Sequence, residues 1–142
     1  MEYLSGSQAE TERLGEALGR RLSPGAVVAL NGPLGAGKTA FVRGLCRAFG
    51  YKGDVTSPTF ALAHQYEGDV PITHFDLYRL DSADADTLES IGFYDALDGR
   101  SVLAVEWSER IEGELPESAV IVNMAYGQKA DERLLRIEGG GL

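Results

Sequence analysis

The chain has 142 residues, 13 basic against 22 acidic for a formal net charge of −9, and a single cysteine. That balance argues against direct, strong nucleic-acid binding, which needs clustered Lys and Arg, and it excludes an internal disulfide. No run of 18 apolar residues occurs and no secretory h-region opens the chain, so neither a membrane span nor export is expected; with Cys46 read as a packed, inert thiol, the expected setting is reduced and cytoplasmic.

Ser7-Gln8-Ala9-Glu10 is a capping box, and it predicts a helix through about Leu22 with Leu14, Leu18 and Leu22 as its apolar stripe. After the turn Ser23-Pro24-Gly25, the run Ala26–Leu30 predicts a strand buried on both faces. Gly32-Pro33-Leu34-Gly35-Ala36-Gly37-Lys38-Thr39 then reads G-x-x-x-x-G-K-[ST], the phosphate-binding P-loop. Phe41, Leu45 and Phe49 recur at helical spacing and Gly50 ends them. Strand, glycine loop and helix is the context in which this motif points a helix N-terminus at phosphate.

Gly50–Pro58 is a hinge-like stretch rich in Gly, Asp and Ser. Thr59–Tyr66 alternates in polarity and Ile72–Leu77 reads as the next strand, a hairpin turning at Glu67-Gly68-Asp69. Asp84–Ser90 predicts a helix broken near Gly92, with a second short one over Phe93–Leu97. Val102–Val105 is another buried-type strand, and Ala119–Tyr126 and Glu132–Glu138 are strands around the turn 127–131. Residues 139–142 are expected to be a disordered tail. The fold class is therefore α/β: one P-loop NTPase-like domain over residues 1–138, a three-layer sandwich whose mixed sheet has a parallel core and antiparallel hairpins.

A P-loop needs a metal contact and a group to orient the nucleophile. Asp76 and Glu106 each end an apolar strand, where ligands of open α/β sheets sit. Mg²⁺ takes oxygen ligands, so Thr39 with one or both acids forms the expected metal set, and the spacing does not choose between them. Thr59 or Ser57 could supply a switch-like hydroxyl, with a plain Ser-Pro turn as the alternative. Arg79 is a candidate for neutralising transition-state charge, for meeting a partner, or for a surface ion pair. Trp107 is either an interface anchor or a core residue. His64, His74 and Cys46 lack zinc-ligand spacing. The only asparagines are Asn31 and Asn123, so the Asn-Lys-x-Asp guanine motif is absent and ATP is the expected nucleotide.

Taken together, Gly32–Thr39, Thr56-Ser57-Pro58-Thr59-Phe60, His74-Phe75-Asp76-Leu77-Tyr78-Arg79-Leu80 and Glu106-Trp107 resemble the TsaE (YjeE) family, from about Ser7 to Leu115. The resemblance implies an ATP-binding and ATP-hydrolysing accessory protein for threonylcarbamoyladenosine modification of tRNA at position 37. Such a protein acts on a TsaB–TsaD heterodimer and reaches tRNA only indirectly. It implies Mg²⁺ as cofactor and ATP as substrate. Lys38, Asp76 and Glu106 are then catalytic, and Thr39, Glu106 and Asp76 hold the metal. Gly32, Leu34, Gly35, Ala36, Gly37, Lys38, Thr39, Ala40 and Thr59 line the nucleotide, with Ser7 and Gln8 near the adenine. Two departures stand out: Pro33 replaces an acid common in family loops and lacks an N–H, and Ala40 replaces a second Thr. The rival readings are a small P-loop kinase or phosphotransferase, and a nucleotide-gated binding module without relevant turnover.

Overall fold

The computed structural model describes residues 1–33, 35–55, 63–77 and 84–140. Its centre is built from the two apolar runs that the sequence marks as doubly buried: β2 (Val27–Asn31) and β5 (Val102–Glu106) lie side by side, parallel, with Leu30 opposite Glu106. β4 (Ile72–Asp76) pairs parallel with β5, and β6 (Val120–Tyr126) parallel with β2. Antiparallel strands extend both sides. β3 (Ala63–Tyr66) forms the expected hairpin with β4, β7 (Arg133–Gly139) pairs with β6, and β1 (Glu2–Ser5) pairs with β7. Among the described residues the order is β1-β7-β6-β2-β5-β4-β3.

The alternation of side chains along each strand feeds two cores. Val28 and Leu30 of β2 face α1 (Gln8–Gly19) and α2 (Lys38–Ala48), where Phe41, Leu45 and Cys46 are fully buried. Val27 faces the opposite layer with Leu103 and Val105, against Leu88 of α3 (Ala85–Ser90) and Phe93 of α4 (Phe93–Ala96). The chain is thus a three-layer α/β sandwich with a mixed sheet.

α1 begins where the capping box places it: Ser7 accepts from the Glu10 N–H at 3.1 Å, while the Glu10 carboxylate accepts from the N–H of Gly6 at 2.7 Å. It ends earlier than expected, at Gly19, and its fully buried face is Thr11, Gly15, Leu18 and Gly19 rather than a leucine stripe; Leu14 and Leu22 are only partly buried. The reason is close helix contact. A Cβ on Gly15 would lie 2.2 Å from the Phe41 carbonyl oxygen, and one on Gly44 would lie 2.0 Å from that of Glu12. Two further features depart from expectation. β1 was not anticipated, and a kinked 3₁₀ segment, Ser108–Glu114, follows β5. Gly139, expected in the tail, is the last residue of β7, opposite Val120.

Candidate functional site

β2 delivers the chain into a glycine loop at its carboxyl end. Gly32, Gly35 and Gly37 take φ of 147°, 76° and 101°, a region that side-chain-bearing residues rarely occupy. Gly37 is the N-cap of α2 and offers no side-chain cap, so the first helical turn, Lys38, Thr39 and Ala40, opens directly onto a cavity. Lys38 is 5% exposed. Its ammonium donates to the Gly32 carbonyl at 2.6 Å and lies 3.7 Å from the centroid of the Trp107 ring. A cation held between a carbonyl and an aromatic face beside a helix N-terminus suits an anionic ligand.

The facing wall comes from strand register. Parallel pairing sets Asp76 of β4 directly beside Glu106 of β5. Glu106 is 3% exposed, and its Oε2 lies 2.5 Å from Nε2 of His74, which is fully buried. Backbone bonds tie the strand ends together: the Trp107 N–H donates to the Leu30 carbonyl and the Leu77 N–H to that of Glu106. Trp107 itself has φ of 62°. A bulky residue in the left-handed region carries strain of order 1–3 kcal/mol. Here that turn lays the indole over Lys38. Beyond it, the Ser108 hydroxyl donates to Asn31 Oδ1, and Asn31 Nδ2 donates to Asn123 Oδ1 at 3.2 Å.

Between the two walls lies a cavity of about 350 Å³. Of the residues expected to bind or act, Ser7, Gln8, Gly35, Gly37, Lys38, Thr39, Ala40, Asp76 and Glu106 all line it. Gly32 and Ala36 do not: Gly32 contributes its carbonyl to Lys38, and Ala36 is buried in the core, its N–H bonded to the Pro33 carbonyl at 3.2 Å. Leu34, Ser57, Thr59 and Arg79 lie outside the described residues.

Thr11, Arg43, Asp131 and Arg133 also reach the cavity, and no sequence motif flags them. Arg133 is the most telling. From β7 its guanidinium donates to the Gly35 carbonyl at 3.2 Å and to those of Ala130 and Glu132 at 2.8 Å, and it sits 5.1 Å from the centre of the Tyr126 ring. The last hairpin therefore braces the glycine loop.

Three cations, Lys38, Arg43 and Arg133, and three acids, Asp76, Glu106 and Asp131, share the cavity. Arg43 is engaged below it: Glu12 of α1 accepts from Arg43 at 2.6 Å and from Arg47 at 3.0 Å. Burial alone would raise the Glu12 carboxyl, but the two guanidinium groups outweigh it and hold it below the usual range. Cys46, deep in the core, has its thiol pushed up to about 12 by burial, which keeps it protonated and inert.

The donor chemistry of Thr39, Asp76 and Glu106 is all oxygen, as a hard cation requires. Among the described residues there is no group of three or more His, Cys, Asp or Glu that would enclose a metal by itself. A site of this kind fits an ion that keeps water and ligand oxygens in its shell, as Mg²⁺ does.

The family model for threonylcarbamoyl adenosine biosynthesis protein TsaE matches residues 5–135. The tRNA threonylcarbamoyladenosine biosynthesis protein TsaE of Treponema pallidum is 41% identical over 124 residues, which is 87% of this chain and 90% of that protein. The protein of the same name from Haemophilus influenzae is 46% identical over 101 residues, 70% of this chain and 63% of that protein. The crystal structure of Bacillus subtilis YdiB shares the fold with a TM-score of 0.79 at 27% identity, covering 99% of this chain and 86% of that one. Of the motifs in which the resemblance lay, Gly35, Gly37, Lys38, Thr39, Asp76, Glu106 and Trp107 line one cavity, the fold has a solved counterpart and the family model spans most of the chain: it belongs to the TsaE family of threonylcarbamoyl adenosine biosynthesis proteins.

Proposed function

We infer that the chain binds Mg²⁺·ATP in this cavity and hydrolyses it as an accessory to a TsaB–TsaD complex during threonylcarbamoyladenosine modification of tRNA, in the cytoplasm. One observation carries the reading: the glycine loop and buried Lys38 face the Asp76–Glu106 register pair across a single cavity. Lys38 and the first turn of α2 receive the β- and γ-phosphates. Thr39 with one or both of Glu106 and Asp76 would hold the metal, which would supply positive charge to offset that of the phosphates. Whichever acid is not spent on the metal orients the attacking water. Ser7 and Gln8, at the start of α1, flank the nucleoside end. The net charge of −9 favours docking on protein rather than on tRNA.

Among the described residues the cavity's arginines are Arg43, paired with Glu12, and Arg133, bonded to the Gly35 carbonyl, which suits slow turnover that a partner accelerates; a missing transition-state contact of this type costs about 10³-fold or more. The test is hydrolysis of γ-labelled ATP by the purified chain, with and without TsaB–TsaD, beside calorimetric titration of nucleotide. The expected result is free phosphate as product, faster turnover with the heterodimer, and loss of binding or hydrolysis in Lys38→Ala. No response to millimolar nucleotide with magnesium and partners present would overturn the reading. Label transferred to an acceptor would replace it with a phosphotransferase.

A further inference from the structure

His74 stands in one of the strings on which the resemblance was drawn, yet nothing so far gives it a task. It stands on β4 two residues before Asp76, on the same face. Its register partner on β5 is Ala104, and Glu106 is the next residue of β5 on that face. The small Ala104 leaves room for the imidazole to lean diagonally across the strand pair, and Nε2 meets Glu106 Oε2 at 2.5 Å. Both groups are out of solvent: His74 is 0% exposed and Glu106 3%.

The other ring nitrogen decides between packing and purpose. Nδ1 is buried with no hydrogen-bond partner among the described residues. A carboxylate only accepts, so Nε2 carries the proton toward Glu106, and Nδ1 is left unpaired beside the Tyr66 ring. Such an orphan polar atom is destabilising whether or not it bears a proton, and an apolar side chain of similar size would avoid it. What the imidazole adds over an apolar side chain is therefore the single bond it makes. That bond occupies Oε2 of Glu106 and fixes the carboxylate's rotation, leaving Oε1, which has no protein partner among the described residues, for the cavity that Glu106 lines.

The geometry points to His74 as the positioning residue for Glu106: it donates through Nε2 to one carboxylate oxygen and thereby aims the other at the metal and phosphate. This rests on the Mg²⁺·ATP reading above. Partners of this kind, which orient a ligand without touching the ion, change metal affinity or activity by about 10–100-fold when removed.

The experiment compares His74→Leu, His74→Gln and His74→Asn with wild type in full-length protein. The glutamine amide nitrogen can stand where Nε2 stands, whereas asparagine is too short to reach Glu106. Three readouts are needed: the thermal midpoint without ligand, the calorimetric affinity for ATP in EDTA and in Mg²⁺, and kcat. His74→Leu is expected to melt at or above the wild-type temperature, to bind metal-free ATP as wild type does, and to lose about 10–100-fold in the gain conferred by Mg²⁺ or in kcat. His74→Gln should recover most of that loss and His74→Asn should not. Should the leucine variant fail to fold, the Gln-against-Asn pair makes the same comparison.

Equal impairment of Gln and Asn, or a wild-type magnesium gain and kcat in all three variants while Glu106→Gln loses them, overturns the role of His74 and leaves the site reading intact. No magnesium gain in wild type overturns both.

Discussion

The two walls of the cavity are made in different ways. The loop wall is contiguous: Gly32 to Ala40 run from strand to helix in one stretch, and glycine conformations with a helix N-terminus give it its shape. The facing wall is assembled. Asp76 and Glu106 with Trp107 come from two strands separated in the chain and meet only because β4 and β5 align in parallel beside β2. A contiguous wall tolerates changes elsewhere in the fold. An assembled one depends on register, since a one-residue slip turns every side chain to the other face.

If the walls divide the labour as proposed, grip on one side and chemistry on the other, they separate by mutation. The largest effect is expected from Glu106→Gln. Turnover should fall on the order of 10²–10³-fold, while ATP affinity measured in EDTA stays at the wild-type value. Parallel losses in both would mean that the facing wall also holds the nucleotide.

Gly44→Ala sharpens the contrast from beneath. Its Cβ would stand 2.0 Å from the Glu12 carbonyl oxygen, a backbone atom that cannot step aside. Separating α1 from α2 should cost about 2–3 kcal/mol, seen as a fall in Tm on the order of 10 °C. Because α2 starts at Lys38, nucleotide affinity should weaken in the same variant; an unchanged Tm would show that the helices have slack.

The smallest effect belongs to Glu12, whose pair with Arg43 and Arg47 ties the same two helices. Its folded pKa lies below the unfolded reference of 4.5, so its contribution is present above that pH and disappears as pH falls through the folded value. Glu12→Gln should cost at most about 1 kcal/mol near neutrality, since the arginines are partly exposed. The difference from wild type, followed by denaturant melts, should close below pH 4.5. A gap that persists there would assign the effect to packing.

What could be read from the residues follows the same division. The capping box at Ser7, the strand before the glycine loop and the helix after it are local signals, and each element begins within a residue of where its signal puts it. Asp76 and Glu106 were recognisable because both end apolar strands, although the sequence alone does not pair them. The misses are non-local. β1 is a short edge strand stabilised by residues 133–136, more than a hundred positions away. Arg133 reaches the site through backbone carbonyls, which have no letter in the sequence. The left-handed turn at Trp107, whose N–H is bonded to the Leu30 carbonyl, corresponds to no preference of tryptophan. Gly15 and Gly44 lower intrinsic helix propensity, and no motif marks them; their purpose is visible only once the two helices meet.

Arg133 on Gly35 has a consequence for how the molecule comes into being. The brace on the loop, and the partner of β1, are both supplied by β7. A ribosome releasing the chain in order exposes the glycine loop about a hundred residues before the strand that steadies it. Contacts of such long separation close late and slow folding. Nascent chains cut short of residue 133 should therefore carry an intact octapeptide on an unfinished scaffold, and the competence of the cavity is gained only as the final hairpin zips shut.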